Sequence, residues 1–135
     1  MNAKDIIKQL DLEPHPEGGW FKETWRDDSK PRAQGTAIYF LLEEDQSSHW
    51  HRVDAAEMWH HYAGGPLYLD IHENGETKRH VLGKELDSGQ APQILVPKDA
   101  WQRAIPVDGW VLVGCTVTPG FEFDGFELAD KGWNP

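Results

Sequence analysis

The stretch from Ser48 to Leu82, SHWHRVDAAEMWHHYAGGPLYLDIHENGETKRHVL, decides the fold class. It reads as four short strands: Ser48 to Val53, Glu57 to Tyr62, Leu67 to His72 and Thr77 to Leu82. Gly64-Gly65-Pro66 breaks the second from the third. Glu73-Asn74-Gly75-Glu76 joins the last two, and Asn-Gly is the dipeptide that a two-residue hairpin turn selects. Leu67, Leu69 and Ile71 alternate with polar residues, the period of a strand with one buried face.

The same rhythm extends both ways. Downstream, Asp87 to Pro92 is a loop, and Gln93 to Val96 and Trp101 to Ile105 are strands flanking the turn Pro97-Lys98-Asp99-Ala100. Trp110 to Val117 is a long β run closed by Pro119-Gly120. The tail FEFDGFELAD, residues 121–130, is Phe-rich and expected to form a strand or a short turn. Upstream, Glu43 to Ser47 is a turn, and Thr36 to Leu42 is a β-branched and aromatic strand expected to be covered on both faces. Asp27 to Gly35 is a loop and Phe21 to Arg26 a strand. Pro14 to Gly19 is a breaker cluster. Residues 3–10, with Ile6, Ile7 and Leu10 on one stripe, predict the only helix. About ten short strands and one helix predict an all-β sandwich or barrel. With no repeat and no linker, residues 1–135 are expected to form a single domain.

Composition narrows the function. The chain carries 13 Lys and Arg against 23 Asp and Glu, a net charge of -10. So acidic a surface argues against nucleic acid and against anionic membranes. Cys115 is the only cysteine, which excludes an internal disulfide. No apolar run approaches a membrane span, and MNAKDIIKQL lacks the apolar core of a signal peptide, so a soluble, cytoplasmic protein is expected. Seven Trp and seven His direct attention to a binding or acid–base site.

His49 and His51 lie two apart on a predicted strand and so share a face, with Trp50 and Arg52 on the other. Glu57 can project to the same side from the next strand. Two imidazoles and a carboxylate form the facial set used for a divalent transition metal such as Fe, Mn, Ni or Zn.

These residues resemble the cupin superfamily. Its first motif places His-x-His before a Glu and then, after six intervening residues, a Gly; here His49, His51, Glu57 and Gly64 follow that order. The leading Gly of the motif is replaced by Glu43, and one extra residue separates His51 from Glu57. The second motif is met in part by Gly89 and Pro97, but the spacing between them is longer than the motif asks, Asp99 stands for Gly and Gln102 for the fourth metal-binding His. The whole chain is similar to the fifth cupin family, the small cupins catalogued as a domain of unknown function. The resemblance rests on His15-Pro16-Glu17-Gly18-Gly19, residues 36–42, Trp50-His51-Arg52-Val53, Glu57-Met58-Trp59-His60, Trp101-Gln102 and Val117-Thr118-Pro119-Gly120-Phe121. It implies a double-stranded β-helix (a jelly-roll barrel), a homodimer, and a likeness to sugar-nucleotide 3,5-epimerases and germin-like metal cupins. A metal, if held, would take His49, His51, Glu57 and Gln102.

Three functional expectations follow. In the leading one, a small polar, sugar-like ligand is isomerised or epimerised in the barrel without metal. There His51 or His60 serves as base, Glu57 or Asp54 orients it, and Tyr39 or Tyr62 is the acid. His61 shares strand parity with Glu57 and competes with His60 for the inward position, so the choice between them stays open. The second is a metal-dependent enzyme, such as an oxygenase, using His49, His51 and Glu57. The third is a binding module without chemistry, its ligand held by Tyr39, Trp59, Trp101 and Gln102. Cys115 is expected to be a buried hydrophobe, Gly18-Gly19 a tight turn into the first strand, and Arg52 the partner of a carboxylate on the barrel wall.

Overall fold

The computed structural model describes residues 1–135. Helix α1, Ala3–Gln9, begins at a reciprocal cap: the Asn2 side chain accepts from the Asp5 N–H, and the Asp5 side chain accepts from the Asn2 N–H. It buries Ala3 and Ile6 against Leu12 and Leu41, closing the outer face of one sheet.

Eleven strands follow: β1 Glu13–Pro14, β2 Trp20–Arg26, β3 Thr36–Leu42, β4 Ser48–Val53, β5 Ala56–Gly64, β6 Leu67–Glu73, β7 Glu76–Leu82, β8 Gln93–Val96, β9 Trp101–Pro106, β10 Val111–Thr118 and β11 Phe126–Leu128. They form a six-stranded sheet ordered β1-β2-β3-β10-β5-β8 and a five-stranded sheet ordered β11-β4-β9-β6-β7. The two sheets face each other as a jelly-roll barrel. Their inner faces meet in a core that includes Phe40, Leu42, Trp59, Leu67, Leu69, Leu82, Val96, Val111 and Val113. The alternation at Leu67, Leu69 and Ile71 therefore reports the buried face as expected. No helix is long and apolar enough to cross a membrane.

The two-residue strand β1 adds to the predicted set, because so short a pairing carries no periodicity to read. Short 3-10 turns occupy Leu86–Ser88 and Phe123–Gly125. Two irregularities matter for the site. In β5, Leu112 and Val113 of β10 pair with Ala63 and His61, so Tyr62 is an extra residue that bulges outward. In β4, Ser48 pairs with Ala104 and His51 with Gln102, so two residues on β4 face one on β9.

Three tryptophans belong to the outer wall. Arg103 lies over Trp50 and Arg52 over Trp101. The chain end crosses them, with Trp133 against both rings and Asn134 accepting from Trp50 Nε1 at 3.0 Å. Arg52 pairs with Glu127 at 2.8 Å, as the sequence suggests.

Candidate functional site

The β4 irregularity breaks the two-residue period on which the His-x-His reading depends. Ser48, His51 and Val53 are buried and turn inward, whereas His49 and Trp50 both lie on the outer side. His49 Nε2 bonds the backbone carbonyl of Asp130 at 2.9 Å, in the segment that crosses the wall. His49 and His51 therefore do not share a face, and the expectation of paired imidazoles is corrected.

A second histidine nevertheless reaches the cavity from an unexpected place. The turn His15-Pro16-Glu17-Gly18-Gly19 is tight, as predicted, with Gly18 at φ +107° and Gly19 at φ +80°. A Cβ on Gly18 would collide with the Ser47 carbonyl oxygen, so only glycine passes there. The Glu17 carbonyl accepts from the His49 N–H at 2.9 Å and ties the turn to β4. That fold-back delivers the His15 and Glu17 side chains to the barrel interior, beside His51.

The hydrogen bonds fix the proton positions. His51 Nδ1 lies 2.8 Å from the His49 carbonyl oxygen, which can only accept, so Nδ1 carries the hydrogen. It also lies 3.1 Å from Glu17 Oε2. Its Nε2 is left as a lone pair with no partner in the chain. His15 is the reverse. Its Nδ1 lies 3.1 Å from the Glu17 backbone N–H, which can only donate, so Nδ1 is the lone pair and Nε2 carries the hydrogen. Ser48 Oγ donates to Glu17 Oε2. Glu17 Oε1 lies 3.3 Å from the His15 lone pair, a pairing that suits a protonated carboxyl.

Charge is unwelcome here. Burial pushes the Glu17 carboxyl up to about 8, against the opposing hydrogen bond from Ser48. Burial likewise raises Glu57 to about 7, against the attraction of His51. Burial lowers His51, and burial followed by the nearby His51 lowers His15 to about 4. Near pH 7 Glu17 keeps its proton, His15 is uncharged, His51 is pushed toward its neutral form, and Glu57 is poised between its two forms.

Glu57 is held by a relay. Gln102 Nε2 donates to Glu57 Oε1 at 2.8 Å, and Trp59 Nε1 donates to Gln102 Oε1 at 2.8 Å. Indole is a donor only, so it forces the Gln102 amide to present its NH₂ to the carboxyl. The Cys115 thiol sits beside Glu57; burial pushes it well up, and it is a packed neutral group as expected.

His15, Glu17, His51, Glu57 and Cys115 border a cavity of about 60 Å³. A single water needs about 10–15 Å³ of such space, so the cavity admits a ligand head of a few heavy atoms. Its polar floor is His15, Glu17, His51 and Glu57, and its walls include Phe21, Ile38, Val117, Phe121 and Phe126. At the mouth, Arg26 is committed to Glu23 at 2.8 and 2.9 Å and to the Phe121 carbonyl at 2.8 Å.

Among the residues singled out from sequence, His51 and Glu57 line this cavity. Gln102 and Trp59 stand behind Glu57 as buried supports and do not line it. Tyr39 packs edge-on against Tyr62 outside, so the tyrosines are not the acid facing His51. Trp101 is on the outer wall. His60 bonds Thr116 at 3.1 Å and stacks on the bulged Tyr62, which is 54 % exposed. His61 Nε2 bonds the Gly65 carbonyl at 2.9 Å, so neither histidine reaches the cavity. Asp54 pairs with Arg32 at 2.7 Å instead of orienting a histidine. His15 and Glu17 are the residues that sequence reasoning missed. The available signal was an ionisable pair set between a proline and two glycines, in a segment that took part in the family resemblance.

The donor set does not fit the metal that the family resemblance implied. His49 is outside, Gln102 Oε1 is occupied by Trp59, and no group of three or more His, Cys, Asp or Glu is arranged to hold an ion.

A small jelly-roll barrel whose interior cavity is floored by buried imidazole and carboxyl groups is the class that fold and site define. Residues 4–129 match the Cupin superfamily (DUF985) family, and the chain belongs to it. It is similar to the uncharacterized protein YML079W of Saccharomyces cerevisiae, 26 % identical over 91 % of this chain and 73 % of that one. Among solved structures it is similar to protein SO0799 from Shewanella oneidensis, with TM-score 0.90, 43 % identity and coverage of 96 % of this chain and 85 % of that one. A hypothetical protein from Leishmania major gives TM-score 0.89 and 31 % identity over 96 % of this chain and 88 % of that one. A single-residue variant of oxalate decarboxylase from B. subtilis, at 13 % identity and TM-score 0.69 over 89 % of this chain and 31 % of that one, shares the fold.

Proposed function

We propose that the chain is a metal-independent isomerase or epimerase that moves a proton next to the carbonyl of a small, sugar-like or related hydroxycarbonyl molecule. The observation that carries this reading is the unpartnered Nε2 lone pair of His51, opening on the same cavity as Glu57. No buried polar side-chain atom lacks a partner, so that lone pair meets the cavity space.

His51 Nε2 takes the proton from the carbon, the C–H electron pair becomes the C=C of an enolate, and the carbonyl pair moves onto oxygen. Glu57, poised near 7, gives its proton to the carbon, whose C=C pair forms the new C–H bond while the oxygen pair restores the carbonyl. The imidazolium then returns a proton to Glu57, and the site is reset. Gln102 and Trp59 aim the carboxyl, and the phenylalanine wall excludes competing water.

The test is solvent exchange. Hydroxyacetone, dihydroxyacetone, glyceraldehyde and free hexoses are incubated in D₂O with the protein, and carbon-bound deuterium is followed by NMR. The wild type should incorporate deuterium from at least one of them, and His51→Ala should lose about 100-fold or more. No exchange with any of the panel, or exchange unchanged in His51→Ala, overturns the proposal; binding without exchange leaves a binding module.

A further inference from the structure

Proton abstraction leaves charge on the carbonyl oxygen, and a buried cavity must supply a donor to meet it. The tyrosines face outward, Arg26 is spent on Glu23 and a backbone carbonyl, and Glu57 has its proton committed to carbon. We propose that His15 is a catalytic residue whose Nε2–H donates to the substrate carbonyl oxygen and holds the enolate oxyanion. This assignment rests on the proton-transfer reading of the site.

Four observations support it. The Glu17 backbone N–H, 3.1 Å away, fixes Nδ1 as acceptor, which leaves the hydrogen on Nε2. The turn that provides that N–H is locked by glycines at φ +107° and +80°, so the donor does not wander. The ring is wedged edge-on by Phe21, Phe40 and Phe126, with centroids at 4.5, 5.8 and 6.2 Å. Nε2 has no partner in the chain, yet no buried polar atom is sealed without one, and His15 lines the cavity. The interior thus holds two imidazoles of opposite tautomer, His51 offering a lone pair and His15 a hydrogen. Abstraction with oxyanion stabilisation needs that pair. Burial and the neighbouring His51 keep His15 uncharged, so it donates without surrendering its proton, the behaviour of a neutral imidazole electrophile.

The first arm of the test needs no substrate. Nitrogen-15 imidazole spectra of the intact protein at pH 7 should show His15 protonated on Nε2 and His51 protonated on Nδ1, both neutral. A His15 resonance protonated on Nδ1, or charged at pH 7, overturns the assignment. The second arm uses whichever panel compound the wild type exchanges. His15→Phe should lower kcat about 100- to 1000-fold with a much smaller change in KM, the loss expected for one oxyanion donor. His15→Gln, whose amide N–H reaches the same point, should recover much of it. Wild-type exchange in His15→Phe refutes the role. If the wild type exchanges nothing, the proton-transfer reading falls and the role of His15 in catalysis falls with it, while the spectra still decide its tautomer.

Discussion

Replacing Glu17 by Gln should change the pH dependence of stability in a defined window. Between about pH 4.5 and 6.5 the unfolded chain ionises both Glu17 and Glu57 and protonates both His15 and His51. The folded chain leans the opposite way at all four: burial holds both carboxyl protons, His15 is neutral above about 4, and the His51 imidazole is pushed toward its neutral form. Bound protons balance, so these four groups give little slope there. Above about 6.5 the unfolded histidines are neutral too, and only the carboxyl difference remains. The folded state now binds more protons than the unfolded one, so stability falls as pH rises. Each group contributes a slope of about 1.4 kcal/mol per pH unit until its folded pKa is passed. Glu57 drops out near 7 and Glu17 near 8, a combined loss of about 2–3 kcal/mol. Glu17→Gln keeps the shape and neutrality of the protonated acid. Its amide can donate to His15 Nδ1 and its oxygen can accept from Ser48 and His51. The variant lacks the Glu17 contribution to this slope, so its stability relative to the wild type should rise by about 2 kcal/mol between pH 6.5 and pH 8. Urea unfolding at half-unit pH steps from about 6 to 9 measures the difference directly. Parallel curves for the two proteins would falsify the claim that Glu17 keeps its proton at neutral pH.

Gln102→Leu should cost about 2–5 kcal/mol, because it orphans both the buried Trp59 N–H and Glu57 Oε1; a loss below about 0.5 kcal/mol in denaturant unfolding speaks against the relay. It should also raise the Glu57 carboxyl further, since the bond from Gln102 opposes the effect of burial. His49→Ala should leave solvent exchange within about twofold, and protein purified without a His tag should show far less than one metal per chain and keep its activity in chelator; stoichiometric metal lost in that variant restores the paired-histidine reading. The homodimer implied by the family resemblance predicts a light-scattering mass twice the 15.4 kDa of the chain, and a single species at 15.4 kDa refutes it.

The sheets were legible because their signals are local. Leu67, Leu69 and Ile71 alternate, and Asn74-Gly75 closes its hairpin with Asn74 and Gly75 both at positive φ. The site was less legible, because what places it is relational. Whether His49 points in or out depends on how β4 registers against β9, about fifty residues on, and one extra residue in that pairing reverses it. The same is true of Tyr62, whose bulge is visible only against β10. His51 and Glu57 were found because each precedes or follows its irregularity. At His15-Pro16-Glu17-Gly18-Gly19 the backbone reading was right and the side-chain reading empty. Two glycines announce a reversal, but not that it carries His15 and Glu17 to the cavity.

That reversal bears on why the barrel works without a metal under the proposed chemistry. A cation gathers several donors around one charge and takes the oxyanion upon itself. In this chain the bulge at β4 removes one imidazole from the interior, and the β1–β2 turn restores one from another direction, with its lone pair already occupied by a backbone N–H. The count of imidazoles is kept, but the chemistry changes: two lone pairs that would converge on an ion become one lone pair and one N–H. Putting Gln102 behind Glu57 completes the substitution, since its amide oxygen is consumed by Trp59 and only its N–H faces the carboxyl. The β4 register takes His49 out of the interior, the β1–β2 turn brings His15 and Glu17 in, and Trp59 commits the Gln102 oxygen, so three separate features turn the interior from ion binding toward proton transfer.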